Sequence, residues 1–243
     1  KGRNKEKKFI IEGYRIFTLA LEWDAKLEYV FINEDFEKKQ DHKVLLEELE
    51  SKNIKIYKTS NKIFSEMVDT ENTQGILAVL RYKERDLVNN INQDDKFVLI
   101  LDRIQDPGNM GTIIRTADSA GVDAIILLKG CVDIYNPKVI RSTMGSIFDM
   151  NIIQTTQDEA VDFLKANNFD IVSSYLHTES YYNETTYDGK IALVIGNEAN
   201  GINDELISKS DKLVKIPIYG NAESLNAAIS AAILMYEIKK YLV

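Results

Sequence analysis

Three short stretches of the sequence combine glycine with asparagine, and two of them add a glutamate. They are the first loop, "DPGN" at 106–109, the second loop, "NEANG" at 197–201, and the third loop, "YGNAESLN" at 219–226. None carries a lysine or arginine placed to bind a triphosphate. Glycine frees backbone amides and carbonyls, and asparagine adds a donor and an acceptor. These loops therefore suit a neutral, hydrogen-bonding ligand such as an adenosine moiety better than a pyrophosphate.

The stretches around these loops predict the strands that would carry them. Runs at 97–101, 124–128 and 191–196 are continuously apolar, and mixed strand patterns cover 169–176 and 213–218. Continuously apolar strands are typical of a parallel sheet that is buried on both faces. Because helical patterns lie between the strands, the predicted fold class is α/β. Ligands of such sheets bind beyond the carboxyl ends of the strands, where all three loops would lie.

The first loop leads into a helix that carries Arg115. Residues 101–121 read as the end of a strand, a tight turn and a helix, an arrangement that can bind phosphate at the helix N-terminus. The P-loop lysine and the dinucleotide motif G-x-G-x-x-G are both missing from it. From the spacing alone, Arg115 is an arginine on the outer face of an amphipathic helix.

The last helix of the chain has an unusually apolar pattern. Its predicted core face consists of the residues at 225, 228, 229, 232, 233 and 236. This face is wider than one face of a sheet would cover. A partner subunit is therefore expected to cover the excess, which predicts a homodimer.

The N-terminal part reads as a separate, smaller α/β unit. Residues 9–23 have helical spacing, and strands and amphipathic helices alternate beyond them. A polar stretch rich in Asn and Asp then forms the best linker candidate. The predicted organisation is a domain over residues 1–85, a linker over 86–95 and a second domain over 96–243.

Composition limits the functional classes. The net charge of −8 argues against a uniformly basic nucleic-acid coat, although residues 1–8 hold five basic side chains and one acidic one. That opening is either a solvated terminus or an arm that contacts a polyanion.

No apolar run approaches the length of a membrane span. Cys131 is the single cysteine, and His42 and His177 lie far apart, so neither an internal disulfide nor a metal site is predicted. A reducing cytoplasm is the expected location.

Three ordered segments resemble the motifs of a known family. They are "DRIQDPGNMGTIIRTADSAG", "LVIGNEANGI" and "VKIPIYGNAESLNAAISAAI". Their order and spacing are similar to those of the SpoU/TrmH family of RNA ribose methyltransferases, in the SPOUT class, over roughly residues 97–240. In the N-terminal part, "FIIEGYR" and "TQGILAVL" resemble the small ribosomal-protein-like substrate-binding domain that many members carry.

The resemblance implies a fold, a cofactor and an assembly. The C-terminal domain would be a SPOUT α/β knot, a mainly parallel sheet with a trefoil knot, beside the smaller N-terminal α/β domain. General rules of chain connectivity exclude knots, so the knot rests on the resemblance alone. The cofactor would be S-adenosyl-L-methionine and the substrate rRNA or tRNA. The family is homodimeric, with the active site at the dimer interface.

The functional positions of the family carry over to this sequence residue by residue. The implied cofactor contacts are Gly196, Ile216 and Leu225, with Asn197, Gly201 and Ile218 beside them. The implied catalytic residues are Asn109, Arg115, Glu198, Ser224 and Asn226. Arg115, Arg141 and Ser142 match the substrate side. Asp149 and Asn151 stand where the family often has a basic residue and a proline.

The predicted reaction is methyl transfer from S-adenosyl-L-methionine to a ribose 2′-hydroxyl. A guanidinium stays protonated in proteins, so Arg115 is expected to bind the adjacent phosphate and stabilise the developing alkoxide. Two alternatives remain: a catalytically silent RNA-binding scaffold and a SPOUT methyltransferase that acts on a base nitrogen. The complete set of motif side chains argues against the first. The "SLN" at 224–226 together with Arg115 favours ribose over the second.

Overall fold

A computed structural model describes residues 5–68, 70 and 72–242 of the chain. Residues 1–4, the first half of the basic opening stretch, therefore lie outside the described residues. The chain divides into two compact units, Lys1–Lys83 and Glu84–Val243. Each unit has its own sheet, so the two are described separately.

The N-terminal unit is built around a four-stranded sheet with the order β1-β4-β2-β3. β2 and β3 are parallel, while β4 runs antiparallel to both β1 and β2. Its strands and helices are, in chain order, β1 (Lys8–Glu12), α1 (Tyr14–Glu22), β2 (Leu27–Asn33), α2 (Glu34–Lys38), α3 (Lys43–Ser51), β3 (Lys55–Thr59), α4 (Asn61–Met67) and β4 (Ile76–Arg81).

The prediction of one helix over residues 9–23 is wrong at its start. Residues Lys8–Glu12 form β1, which pairs with β4, a partner about 70 residues away in sequence that helical spacing cannot reveal. Gly13 separates the strand from the helix with a φ of 105°, a conformation that favours glycine. The helix then begins at Tyr14.

The C-terminal unit is built around six parallel strands in the order β10-β8-β9-β5-β6-β7. β5 and β9 are buried along almost their whole length, as the continuous apolar runs predicted. Its elements are α5 (Leu87–Asn90), β5 (Phe97–Leu101), α6 (Pro107–Ser119), β6 (Ala124–Leu127), α7 (Pro137–Thr143), α8 (Ser146–Asp149), β7 (Ile152–Gln154), α9 (Gln157–Ala166), β8 (Phe169–Ser174), β9 (Lys190–Ile195), α10 (Asp204–Ser208), β10 (Lys212–Val214) and α11 (Ala227–Leu242).

The segment predicted as a linker, residues 86–95, belongs to this second unit. Asp86 caps α5 by accepting a hydrogen bond from the backbone N–H of Asn89. Leu87 and Ile91 are buried in the same apolar cluster as residues of β5, β6, β8 and β9. Two buried residues, four positions apart, are too weak a pattern to stand out in a stretch rich in Asn and Asp.

The last helix, α11, does not bury the face that its pattern predicted. Its buried residues are Ala228, Ala231, Leu234, Met235 and Ile238. Of the predicted core residues only Ala228 is buried, whereas Ile229 and Tyr236 are exposed. Because this helix is apolar almost all round, periodicity could not identify the stripe that faces the sheet. Ile229 and Tyr236 form the exposed stripe of α11, an apolar surface on the outside of this unit.

Among the residues that the structure describes, none of the helices has both the length and the apolar composition that crossing a membrane requires.

Candidate active site

The strand order brings the three Gly/Asn loops to one edge of the C-terminal sheet. β5 and β9 are neighbours, and the first and second loops follow them. The third loop lies between β10 and α11, and only β8 separates β10 from β9. Because all six strands are parallel, these loops lie at the carboxyl edge, where α/β proteins bind their ligands.

The carboxylate of Glu198, from the second loop, holds the turn of the first loop. Its Oε2 accepts a hydrogen bond from the backbone N–H of Gln105 at 3.2 Å. Its Oε1 accepts from the backbone N–H of Asp106 at 3.1 Å and from Nδ2 of Asn109 at 3.1 Å. Asp106 itself caps α6 by accepting from the backbone N–H of Asn109 at 2.7 Å. One carboxylate thus fixes both the turn and the first residues of the helix.

Asn109 connects this turn to the third loop. Its Oδ1 accepts a hydrogen bond from Nδ2 of Asn226 at 2.9 Å. The Oδ1 of Asn226 in turn accepts from the backbone N–H of Ala228 at 2.9 Å, so Asn226 caps the start of α11. Glu198, Asn109 and Asn226 form a continuous hydrogen-bonded chain, the three-loop relay. One side chain from each predicted motif contributes to it.

The relay keeps Glu198 charged. Partial burial acts to raise the pKa of its carboxyl, but hydrogen bonds from Asn109 and from backbone N–H groups outweigh this and lower the pKa below its ordinary value. Such a carboxylate is fully ionised at neutral pH, and three donors already occupy its oxygens. It is therefore better suited to positioning the loops than to accepting a proton from a substrate.

A second set of bonds holds the second loop from the other side. The carboxylate of Asp102, at the end of β5, is 2% exposed and forms a bidentate pair with Arg103 at 2.9 Å for each bond. Asp102 also accepts from the backbone N–H of Asn203 at 2.9 Å, and Arg103 donates to the carbonyl of Gly201 at 3.2 Å. In return, Nδ2 of Asn197 donates to the carbonyl of Arg103 at 2.8 Å. This Asp102–Arg103 clamp fixes both ends of the loop.

Removing the arginine of this clamp should destabilise the fold. Arg103→Ala leaves a buried carboxylate without its charged partner, so we expect the free energy of unfolding to fall by about 2 kcal/mol. Urea denaturation measures it. Lys165→Ala is the matched control, because its ion pair with Asp211 spans 3.8 Å between two well-exposed side chains and should contribute less than about 1 kcal/mol. Equal losses for the two variants would show that the clamp adds nothing.

Gly196, an implied cofactor contact, is required first by the packing of the chain. A Cβ atom on Gly196 would lie 2.3 Å from the backbone N of Ile202 and 2.4 Å from the carbonyl carbon of Gly201. Such contacts cannot be relieved by moving a side chain. Any larger residue would shift the second loop, whether or not a ligand is bound. Substitution of Gly196 would therefore not separate ligand binding from folding.

The remaining predicted residues lie around this network without contacting it through side chains. Arg115 is exposed on α6, and its guanidinium makes no hydrogen bond or ion pair within the part of the chain that the structure describes. Ser142 is half-buried on α7 and donates its hydroxyl to the carbonyl of Lys138, while Arg141 is exposed. Ile216 and Ile218 are half-buried, and Ser224 and Leu225 are exposed. The guanidinium of Arg115 is thus available to a ligand.

Sequence reasoning assigned no ligand role to Leu176, which lies in the segment after β8. Because β8 lies between β10 and β9, this segment stands between the second and third loops. Leu176 is 50% exposed there, and Tyr175 is tied to β10 by a backbone N–H bond to Val214 at 2.9 Å. The available signal was only that Leu176 is the last residue of a predicted strand. Its place in the sheet depends on a strand order that the sequence does not reveal.

Asp149 and Asn151, which depart from the family pattern, lie beside the segment that follows the N-terminal unit. Asp149 is exposed at the end of α8. Nδ2 of Asn151 donates to the carbonyl of Asn90, and Arg85 donates to the carbonyl of Met150 between them. The contacts of Asn151 are thus internal. Within the described ranges, His, Cys, Asp and Glu side chains form no group of three that could hold a metal ion.

Family models match both parts of the chain. The model described as "SpoU rRNA Methylase family" matches residues 96–236, and the "MRM3-like substrate binding domain" matches residues 1–78. The 23S rRNA (guanosine(2553)-2′-O)-methyltransferase RlmP of Bacillus subtilis is 36% identical over 239 residues, which cover 98% of this chain and 91% of that protein. A putative TrmH family tRNA/rRNA methyltransferase of Staphylococcus aureus is 29% identical and covers 98% and 93%.

Solved structures resemble the whole chain as well. The SpoU methyltransferase AviRb from Streptomyces viridochromogenes, in complex with the cofactor AdoMet, has a TM-score of 0.89 at 26% identity, with 98% of this chain and 91% of that chain covered. An AdoMet-bound rRNA methyltransferase from Sinorhizobium meliloti has a TM-score of 0.88 at 27% identity and covers 99% and 90%.

Proposed function

Because the chain belongs to the SpoU rRNA Methylase family, we propose that it methylates a ribose 2′-hydroxyl of 23S rRNA with S-adenosyl-L-methionine as the methyl donor. The three-loop relay is the observation that carries this proposal. It ties one side chain of each motif together at the carboxyl edge of the sheet, while the guanidinium of Arg115 has no partner among the residues that the structure describes. An intact relay also argues against a catalytically silent scaffold.

The carboxyl edge of the sheet has the chemistry that the cofactor needs. S-adenosyl-L-methionine supplies an electrophilic methyl group on a sulfonium. Gly196 would offer backbone groups for hydrogen bonds to an adenosine, and Gly201 would lie beside it, with its own N–H and C=O bonded to the backbone of Asn197. Leu176 and Leu225 offer exposed apolar side chains. Ile216, Ile218 and Asn197 complete the proposed cofactor site. The role of these residues is to align donor and acceptor, since the methyl group is already activated.

Arg115 is the proposed catalytic residue. Its guanidinium cannot take a proton at neutral pH, but it can form charge-assisted hydrogen bonds with a phosphate and with an oxygen that becomes negative. Asn109, Glu198 and Asn226 position the loops, as their mutual hydrogen bonds indicate. Ser224 is exposed beside them and would contact the substrate. Arg141 and Ser142 would contact the RNA from α7.

The proposal also covers the target RNA, the trefoil knot, the homodimer and the cellular location. The choice of 23S rRNA follows the similarity to RlmP, whose name gives a 2′-O-methylated guanosine. The trefoil knot and the homodimer with a shared active site are proposed on family membership. The cytoplasmic location expected from the single cysteine stays a prediction.

Mapping 2′-O-methyl groups tests the function itself. Ribosomal RNA from cells with and without this protein should differ at one ribose of the 23S rRNA. A site that changes on a base nitrogen instead would favour the alternative chemistry, and no change at any nucleotide would favour the scaffold.

Cofactor binding should depend on the segment after β8. Leu176→Asp places a charge where an apolar contact with the cofactor is proposed, so we expect calorimetry to show a loss of S-adenosyl-L-methionine affinity of about tenfold or more. Val88→Asp, at a position that is 76% exposed on α5, is the matched control and should bind normally. Unchanged affinity in Leu176→Asp would remove this residue from the site.

The homodimer should depend on the exposed stripe of α11. Sedimentation at micromolar concentration should give about twice the chain mass of 27.7 kDa. Ile229→Asp puts a charge into the apolar interface and should shift the protein towards the monomer. Val44→Asp, an equally apolar exposed position in the N-terminal unit, should leave the dimer intact. A wild-type protein that is monomeric and fully active would contradict a shared active site.

A further inference from the structure

One aromatic side chain of the third loop has no role in the fold. Tyr219 is 95% exposed, and it makes no ring contact or side-chain hydrogen bond within residues 5–68, 70 and 72–242. Its neighbours Gly220 and Asn221 are exposed as well. A large aromatic side chain that is exposed to solvent contributes little to the stability of the fold. We therefore expect a ligand to cover the ring of Tyr219.

A second aromatic and a cation lie at the end of β10, before the third loop. The backbone of Tyr181 forms an isolated parallel bridge with Lys215, and Nζ of Lys215 lies 5.2 Å from the centroid of the Tyr181 ring. Lys215 also lies 3.8 Å from the exposed carboxylate of Glu179. Lys215 follows β10, the edge strand, and Tyr219 comes four positions later in the chain, a span of at most about 14 Å. Two aromatic rings and a cation thus accompany one loop.

The geometry points to Tyr219 as a residue that stacks on an unpaired base of the substrate RNA, with Tyr181 and Lys215 at the end of β10, just before the same loop. This inference rests on the proposed function. Proteins that recognise RNA sequence stack unpaired bases on aromatic side chains, and a nearby cation attracts the phosphates. The same loop carries Ser224 and Asn226, so the stacked base would lie close to the ribose that is methylated.

The surroundings of Tyr219 favour RNA over a partner subunit. The centre of a protein interface is apolar and depleted of charge. Along the third loop, by contrast, Tyr219 is followed by Gly220, Asn221 and Glu223, all of them exposed. The apolar exposed stripe, with Ile229 and Tyr236, begins only on α11.

Substitution of Tyr219 gives a test that folding does not confound. Tyr219→Ala should weaken the binding of a 23S rRNA fragment by about 5- to 150-fold, the usual cost of losing one aromatic stack, while Tyr219→Phe and Tyr219→Trp keep wild-type affinity. Affinity for S-adenosyl-L-methionine and the denaturation midpoint should not change. In Tyr219→Ala, the slope of the logarithm of the binding constant against the logarithm of the salt concentration should also stay the same, because losing the stacked ring removes no phosphate contact. Lys215→Gln, by contrast, should reduce that slope.

Val88→Ala is the control, since Val88 is an apolar residue that is 76% exposed on α5, outside the three loops and the exposed stripe of α11. It should leave RNA affinity unchanged. Wild-type RNA affinity in Tyr219→Ala would overturn the inference, and so would a change in sedimentation in place of a change in RNA binding. If the wild-type protein methylates no RNA at all, the proposed function fails, which is a different result from a methyltransferase that is indifferent to Tyr219.

Discussion

Arg115→Lys should lower the rate of methyl transfer by a factor on the order of 10²–10³, the usual effect of removing a donor that stabilises a developing negative charge. Lysine keeps the positive charge but loses the planar guanidinium, which can bond a phosphate and the reacting oxygen at once. Because Arg115 makes no side-chain bond within the described residues, this loss cannot arise from a disrupted network. Single-turnover kinetics at saturating RNA and cofactor would measure it.

The controls for Arg115→Lys separate chemistry from binding. Calorimetry should show unchanged affinity for S-adenosyl-L-methionine, because the relay holds the three loops without this side chain. Arg81→Lys, an exposed arginine that pairs with Glu28 in the N-terminal unit, should methylate at the wild-type rate. If Arg115→Lys also reacts at the wild-type rate, another group stabilises the reacting oxygen.

The sequence predicted the C-terminal fold because local signals and tertiary structure agree there. Continuous apolar runs identified β5 and β9, which are buried on both faces. The capping box of Thr156 and Glu159 and the cap of Asn136 are equally local sequence patterns, and they mark the starts of α9 and α7. Each of these signals acts within a few residues, so a pattern in the sequence is sufficient to show it.

Other features depend on contacts that no local pattern encodes. The residues after Pro137 have a helical pattern that continues to Phe148, but the structure breaks it between α7 and α8, because Met144 and Gly145 have φ values of 52° and 99°. The strand predicted over 213–218 is shorter than its pattern, since β10 covers only Lys212–Val214 beside β8. In both cases the pairing and packing of the chain decide where an element ends.

The candidate site was likewise predictable from the sequence only in part. Motif positions were sufficient to name Asn109, Glu198 and Asn226, but not to show that they bond to one another. That required β5 and β9 to be neighbours and α11 to begin beside α6. The Asp102–Arg103 clamp was missed because two adjacent, opposite charges after a strand are common at a protein surface. Its importance comes from the burial of Asp102, which only the structure reveals.

The most direct test of the reaction is to determine which atom of the RNA accepts the methyl group. An RNA fragment that contains the mapped nucleotide can be made with a single 2′-deoxy substitution at that position. The substitution removes only the hydroxyl that is proposed to attack the methyl group, and the phosphates and bases that bind the protein remain. We therefore expect the deoxy RNA to bind about as tightly as the unmodified RNA.

The decisive measurement is the transfer of labelled methyl from S-adenosyl-L-methionine to these two RNAs by the purified protein. The unmodified fragment should take up one methyl group, and the 2′-deoxy fragment should take up none. Methyl transfer to the deoxy fragment at a comparable rate would mean that the acceptor is a base atom, and the ribose 2′-hydroxyl mechanism would be wrong.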